Sequence, residues 1–190
     1  GKSYLLAIVR DISARKNKEQ ALIELANLDP LTQLPNRRYL EQLLNDVFSE
    51  NGDVAEGMGF IYIDLDDFKQ INDQNGHALG DEVLVWVAKQ LKAAVRSTDY
   101  VIRMGGDEFL VTISGVTNTT ILNRLAHKIA EQFLAPFSCK GKSIEVTASI
   151  GVTAHFLGDG VYAANQLIEE ADAAMYQAKK QPGTTIIHFS

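Results

Sequence analysis

The chain has one cysteine, Cys139, in 190 residues, so no internal disulfide can form, and a reducing, cytoplasmic setting is expected. That cysteine sits in the turn-like stretch SCKGKS and carries no signal of reactivity. Basic residues are few: 18 Lys and Arg stand against 24 Asp and Glu, a formal charge of −6. The broad electrostatic footprint that nucleic acid or an anionic membrane surface requires is therefore missing. No nucleic-acid partner and no membrane contact from this chain are expected, and a small anionic ligand needs a local device. Long apolar runs are absent as well. A run such as residues 4–9 falls far short of the ~20 residues that span a bilayer, and no signal-peptide pattern opens the sequence. Low complexity and internal repeats are lacking. What is present is ordinary globular composition, 46% hydrophobic and 22% charged, enough for one sizeable core plus an appendage. The sequence opens inside a strand-like stretch, so it is expected to be a piece of a longer protein that can carry a membrane anchor upstream.

The opening SYLLAIVRDIS is β-rich and gives way to ARKNKEQALIELANL, where Leu22, Leu25 and Leu28 share a helical face until Pro30 ends it. This predicts the last strand of a truncated upstream domain over residues 1–12, a linker helix over 13–28 and the main domain over 29–190. Within the main domain, NRRYLEQLLNDVF reads as helix and MGFIYID as a buried strand. GDEVLVWVAKQLKAAVR follows as a second helix, with Gly80 and Asp81 at its start and Asp81 as the expected cap. Strands over residues 100–104 and 109–113 join across Gly105 and Gly106 as a hairpin. Ile121, Leu125, Ile129 and Phe133 predict another amphipathic helix, and the alternation over residues 144–154 one long strand. Leu167, Ile168, Ala171, Ala174, Met175 and Ala178 predict the last helix, and TTIIHF the last strand. The order αβαββαβαβ implies an α/β (α+β) fold, a central mixed five-stranded sheet flanked by helices.

The chemistry residues fall at the ends of these strands. Asp64 closes the first strand, and Asp107 and Glu108 sit in the hairpin of RMGGDEFLV. If the strands are neighbours, the carboxylates converge at one sheet edge, the donor set that Mg²⁺ prefers when substrate phosphates complete its shell. Gly105 and Gly106 make the turn cheap and let a ligand lie close to the backbone. Taken alone, the stretch reads as a tight turn with solvated acids.

Its surroundings alter that balance. DLDDFKQINDQNGHALGDEVL, residues 64–84, is dense in Asp and Asn between a buried strand and a buried helix. With DPLTQLPNRR at 29–38, GGDEF at 105–109 and ADAAMYQAK at 171–179, the sequence resembles the GGDEF domain family of diguanylate cyclases over essentially all of residues 29–190. The opening AIVRDISARK resembles, over a shorter stretch, the end of a PAS sensor domain. The resemblance implies a nucleotidyl-cyclase or polymerase-palm-like fold and condensation of two GTP to cyclic di-GMP by a homodimer. It implies catalysis by Asp64, Asp107 and Glu108, with Mg²⁺ or Mn²⁺, two per active site, held by Asp64, the Leu65 carbonyl and Asp107. Asn72 and Asp81 match the positions that read guanine. The backbone of Phe68 and Lys69, the Gly105–Gly106 turn, Arg103 and Lys179 match the substrate-binding positions, with Lys179 reaching the phosphates. Arg96 and Asp99, in RSTD, match an inhibitory product site, to which Arg124 and Lys128 on the next helix can add contacts. His77, in the family's GH pair, is read as structural. One departure stands out: after YQAK the family continues to Gly-Arg-Asn, and this chain reads KQPGTT, leaving Lys180 as a point-charge substitute for the arginine. Two other readings stay open: a non-catalytic module that binds GTP or cyclic di-GMP as a receptor, and a cyclase using another base. Singly, Asp81 reads as a helix cap, Asn72 as a turn former, and Arg96 with Asp99 as a surface pair worth roughly 0–1 kcal/mol; at family spacing the site readings prevail.

Overall fold

The computed structural model of the chain describes residue 18 and residues 26–47, 57–156 and 164–189. The strand expected over 1–12 lies outside the described residues, as does most of the linker helix expected over 13–28. The main domain is organised around β1 (Met58–Leu65), buried along its whole length. Such a strand must have both faces covered, and its period-2 alternation sorts them. Ile61, Ile63 and Leu65 join one core with helices α3 (His77–Ala94) and α4 (Thr119–Glu131). Met58, Phe60 and Tyr62 join a second core with α1 (Arg37–Val47) and α5 (Ala164–Ala178). The result is a three-layer arrangement of helices, sheet and helices.

The sheet is the expected mixed, five-stranded one. β1 pairs antiparallel with β3 (Glu108–Ser114) and with β6 (Ala148–His155). β2 (Tyr100–Gly105) extends the edge beside β3, and β7 (Thr185–His188) adds parallel to β6. α1 is capped by Asn36, whose Oδ1 accepts from the Tyr39 amide at 3.1 Å. Among the described residues, no helix is long and apolar enough to cross a membrane.

Three expectations need correction. Asp81 is not a cap: Gly76, at φ 85°, ends α2 (Phe68–Asn75) and begins α3, so Asp81 is already inside the helix. Glycine tolerates this left-handed φ, and its amide closes α2 on the Asn72 carbonyl at 2.7 Å. The long strand over 144–154 is also divided. β6 starts at Ala148, opposite Leu65, where β1 ends; one further backbone bond, from the Asp66 amide to the Thr147 carbonyl at 2.9 Å, closes the ladder as the chain turns into α2. Ile144 belongs instead to a separate hairpin, β4 (Phe137–Cys139) with β5 (Lys142–Ile144), turned at Lys140 and Gly141 with φ 50° and 80°. The hairpin clasps the α2–α3 pair: Lys140 Nζ meets Glu82 Oε1 at 2.6 Å, and Lys142 Nζ donates to Asn75 Oδ1 at 3.1 Å. Cys139 donates to Glu82 as well, which pushes its thiol pKa up and makes it less reactive. Finally, α4 buries Leu122, Ala126 and Ile129 rather than a stripe through Ile121 and Leu125.

Candidate active site

Sheet pairing brings the carboxylates together. In the β1–β3 register Asp64 stands opposite Glu108, so the two side chains emerge on one face. The Leu65 amide donates to the Asp107 carbonyl at 3.3 Å, which fixes the turn against the end of β1. Gly105 and Gly106, at φ 150° and 53°, carry that turn, and a Cβ added to either would meet nothing within 4 Å. Their glycine identity thus serves backbone conformation and open approach, not packing.

Arg103 braces the turn from behind. Its Nη2 and Nε donate to the Gly106 carbonyl at 2.7 and 3.2 Å, while Nη1 meets Asp29 Oδ1 at 2.9 Å. Asp29 Oδ1 also accepts from the Thr32 amide and hydroxyl at 2.7 and 2.6 Å. The DPLT segment is therefore wired to the GGDEF turn through one guanidinium. Burial pushes the Asp29 carboxyl up, but the Thr32 and Arg103 hydrogen bonds outweigh it and leave the pKa below the ordinary value. A depressed folded-state pKa gives stability present above about pH 4 and lost as pH falls through the folded value. Asp29→Asn should accordingly cost about 1–2 kcal/mol near neutral pH. In paired urea melts the gap to the parent should close below about pH 4; a gap independent of pH would contradict the charged pairing.

Asp64 is the electrostatic centre. Its side chain is 5% exposed, and Oδ2 pairs with Lys179 Nζ at 2.8 Å. Oδ1 is buried without a hydrogen-bond partner. Burial pushes its pKa up to about 6, with Lys179 pulling down and the charges of Asp107 and Glu108 pushing up. One lysine therefore leaves this group of acids short of positive charge. Among the described residues, no three His, Cys, Asp or Glu side chains are grouped so that they could hold a metal ion by themselves. The donors nonetheless fit a hard divalent cation that takes its remaining ligands from substrate: an orphaned buried carboxylate oxygen beside two further acids.

The acids open onto a cleft of about 680 Å³, lined by Asp64, Leu65, Phe68, Lys69, Asp107 and Lys179, with residues 180–183 at its edge. Lys180 lines it too, although its ammonium lies 5.0 Å from the Tyr176 ring centroid and donates to Gln177 at 2.9 Å. Asn72 and Asp81 do not line this cleft. They belong to α2 and α3, and Asn72 packs against Gly80, the residue before Asp81, where an added Cβ would come within 1.9 Å of Asn72 Oδ1. Gly105, Gly106, Arg103 and Glu108 also stand outside the cleft lining, forming and supporting its turn.

A protein-family model described as "Diguanylate cyclase, GGDEF domain" matches residues 26–185. The chain belongs to the GGDEF family. It is similar to the bifunctional diguanylate cyclase/cyclic di-GMP phosphodiesterase MucR of Pseudomonas aeruginosa, 39% identical over 168 residues, which are 88% of this chain and 24% of MucR. Diguanylate cyclase TpbB of the same organism is 36% identical over 179 residues, 93% of this chain and 41% of TpbB. The chain thus spans less than half the length of these curated relatives. The crystal structure of the TpbB GGDEF domain matches with a TM-score of 0.76 at 32% identity, covering 84% of this chain and 98% of that one. A microbial GGDEF domain solved in an interaction with cyclic di-GMP gives a TM-score of 0.71 at 29% identity, covering 88% and 99%.

A second, smaller cavity of about 210 Å³ lies elsewhere on this GGDEF domain, between the end of α3 and α4, and Arg96, Asp99, Arg124 and Lys128 all line it. Asp99 Oδ2 accepts from the Arg96 amide at 3.0 Å, and Lys128 Nζ donates to the Ala94 carbonyl at 2.6 Å. Among the described residues the Arg96 guanidinium forms no ion pair with Asp99, so the plain surface pair that the two residues suggest when taken singly is not made. Two residues that sequence reasoning did not single out, Ser149 and Tyr62, also make contacts beside the site. Ser149, fully buried, donates to Asp66 Oδ1 at 2.7 Å, tying the turn after β1 to β6. Tyr62 donates to Glu108 Oε2 at 3.1 Å. The one available signal was a phenol in an otherwise aliphatic and phenylalanine-bearing strand.

Proposed function

We propose that this GGDEF domain, residues 29–190, condenses two GTP to cyclic di-GMP and two pyrophosphates. The observation that carries the reading is the under-neutralised Asp64, beside Asp107 and Glu108, at the mouth of a cleft of nucleotide size. Each ribose 3′-oxygen forms a bond to the other nucleotide's α-phosphorus and loses its proton, while the bond from that phosphorus to the β-phosphate bridge breaks and pyrophosphate departs. Mg²⁺ or Mn²⁺, two per site, held by Asp64, the Leu65 carbonyl and Asp107, would polarise phosphoryl oxygens and lower the pKa of the attacking hydroxyl. The chain's own groups do the rest. Lys179 and the Phe68 and Lys69 backbone bind phosphate, and the open Gly105–Gly106 turn lets the nucleotide approach. Asn72 and Asp81 orient guanine. Each domain holds one GTP, so two copies must face each other, with residues 13–28 as the stalk that sets their spacing beneath an upstream PAS-like sensor, in the cytoplasm where GTP is available.

Incubation with GTP and Mg²⁺ or Mn²⁺, followed by chromatography, tests the reading; cyclic di-GMP is the expected product. The absent tail arginine, with its candidate substitute Lys180 turned onto Tyr176, favours the receptor reading, which GTP binding without turnover would support.

Guanine reading is tested at Gly80. In Gly80→Ala the new methyl must displace Asn72 Oδ1, the far end of a flexible side chain, so the fold should persist. The KM for GTP should rise by about tenfold and discrimination against ATP should narrow. Unchanged selectivity would assign the base to other groups.

The cavity of Arg96, Asp99, Arg124 and Lys128 is read as a product site. An arginine fork suits a phosphate or guanine edge, and the aspartate accepts from guanine N–H groups. Product bound there, cross-linking two domains with their GTP sites apart, would inhibit. Arg96→Ala should weaken cyclic di-GMP binding by about 10–100-fold and relieve progressive slowing without lowering the initial rate. Equal affinity by calorimetry would reduce RSTD to a helix terminus.

A further inference from the structure

Tyr62 is buried, 7% exposed, in the core that contains Phe60, Ile102, Leu110, Leu167 and Met175. Packing alone asks for a phenylalanine here, because a buried hydroxyl is unfavourable unless it is bonded. The partner it finds is in the signature turn. In the sheet Tyr62 stands opposite Leu110 and Asp64 opposite Glu108. Glu108 is therefore the diagonal neighbour of Tyr62 on the same face, within reach of an aromatic side chain. The phenol donates to Glu108 Oε2 at 3.1 Å, and among the described residues this is the hydrogen bond that holds the Glu108 carboxylate. Burial, together with the charges of Glu108 and Asp172, pushes the phenol pKa up.

We infer that Tyr62 is a positioning residue for Glu108: the packed ring fixes the hydroxyl, the hydroxyl holds Oε2, and the carboxylate is thereby kept on the sheet face it shares with Asp64. Glu108 follows two glycines at the end of an open turn and is only half-buried. Without the phenol its carboxylate would sample several rotamers at the point where divalent-cation charge is to be neutralised. The inference rests on the proposed metal-dependent reading of the site and adds a residue to it. Hydrogen-bonding partners behind ligating or near-ligating carboxylates typically govern metal affinity by 10–100-fold.

The test uses 3′-deoxy-GTP, which lacks the attacking hydroxyl and so reports binding without turnover. Its dissociation constant is measured by calorimetry with EDTA and with Mn²⁺, and the ratio is the metal-dependent gain. Tyr62→Phe is expected to cut that gain by about tenfold, to leave affinity in EDTA within about twofold, and to keep Tm within about 4 °C of the parent. In a Glu108→Gln background, where Asp64 and Asp107 remain, the same change should alter the gain by less than about twofold, as required if Tyr62 acts through Glu108. An unchanged gain in Tyr62→Phe, or an equal loss with and without Glu108, overturns the positioning role while leaving the metal reading intact. Absence of any Mn²⁺-dependent gain in the parent overturns the metal reading and this inference with it.

Discussion

Asp107→Asn is expected to stop cyclic di-GMP formation, by at least about 100-fold in initial rate, in a domain that remains folded. Asp107 sits half-exposed in the turn between β2 and β3, and its backbone carbonyl, which accepts from the Leu65 amide at 3.3 Å, is unaffected by the change. The side chain contributes no core contact, so stability should move by less than about 1 kcal/mol. What changes is charge. Asp107 is one of the two acids whose field raises the Asp64 pKa toward about 6, and that surplus of negative charge is the argument for a divalent cation. The asparagine keeps the shape and removes the attraction. Circular dichroism and a thermal melt establish the fold, and product chromatography gives the rate. A variant that turns over like the parent would remove Asp107 from the metal site. An unfolded one would show that the turn is structural.

Gly151→Ala should have the largest effect on stability. Gly151 lies in β6 beneath α5, and a Cβ there would fall 1.9 Å from the Ala171 carbonyl oxygen and 2.3 Å from the Met175 amide nitrogen. Both are backbone atoms of a helix, so no rotamer change relieves the clash and the helix must lift from the sheet. Overpacking of this kind costs about 3 kcal/mol or more, a fall of roughly 6–12 °C in Tm for a domain of this size. The consequence reaches the site, because Lys179 follows directly on α5 and its amide is held by the Met175 carbonyl at 3.0 Å. Lifting α5 carries the ammonium away from Asp64, so activity should fall even well below the melting temperature. A Tm equal to the parent's would mean that α5 approaches the sheet less closely than 1.9 Å implies.

The sequence by itself determined the main helices and the five strands of the central sheet, because burial on a sheet or helix face is written as a local period that neighbours along the chain share; it missed α2, which buries no residue, and the β4–β5 hairpin. It also placed Asp64, Asp107 and Glu108 at strand ends, but whether they gather depended on strand pairing, which the register of Asp64 opposite Glu108 supplied. Local pattern failed where a partner elsewhere decided the outcome. The alternation through residues 144–154 is continuous, yet the strand starts at Ala148 because β1 ends at Leu65. Asp81 reads as a cap, yet Gly76 starts the helix earlier, a backbone conformation that hydrophobic spacing does not encode. Only the tertiary structure decided that Lys179 neutralises Asp64, that Arg103 links Asp29 to the Gly106 carbonyl and that Tyr62 holds Glu108. Those contacts join residues distant in sequence through sheet register and helix packing, and polar partners carry no periodicity. A buried donor and a buried acceptor must be brought within hydrogen-bond distance before either reveals what it is for.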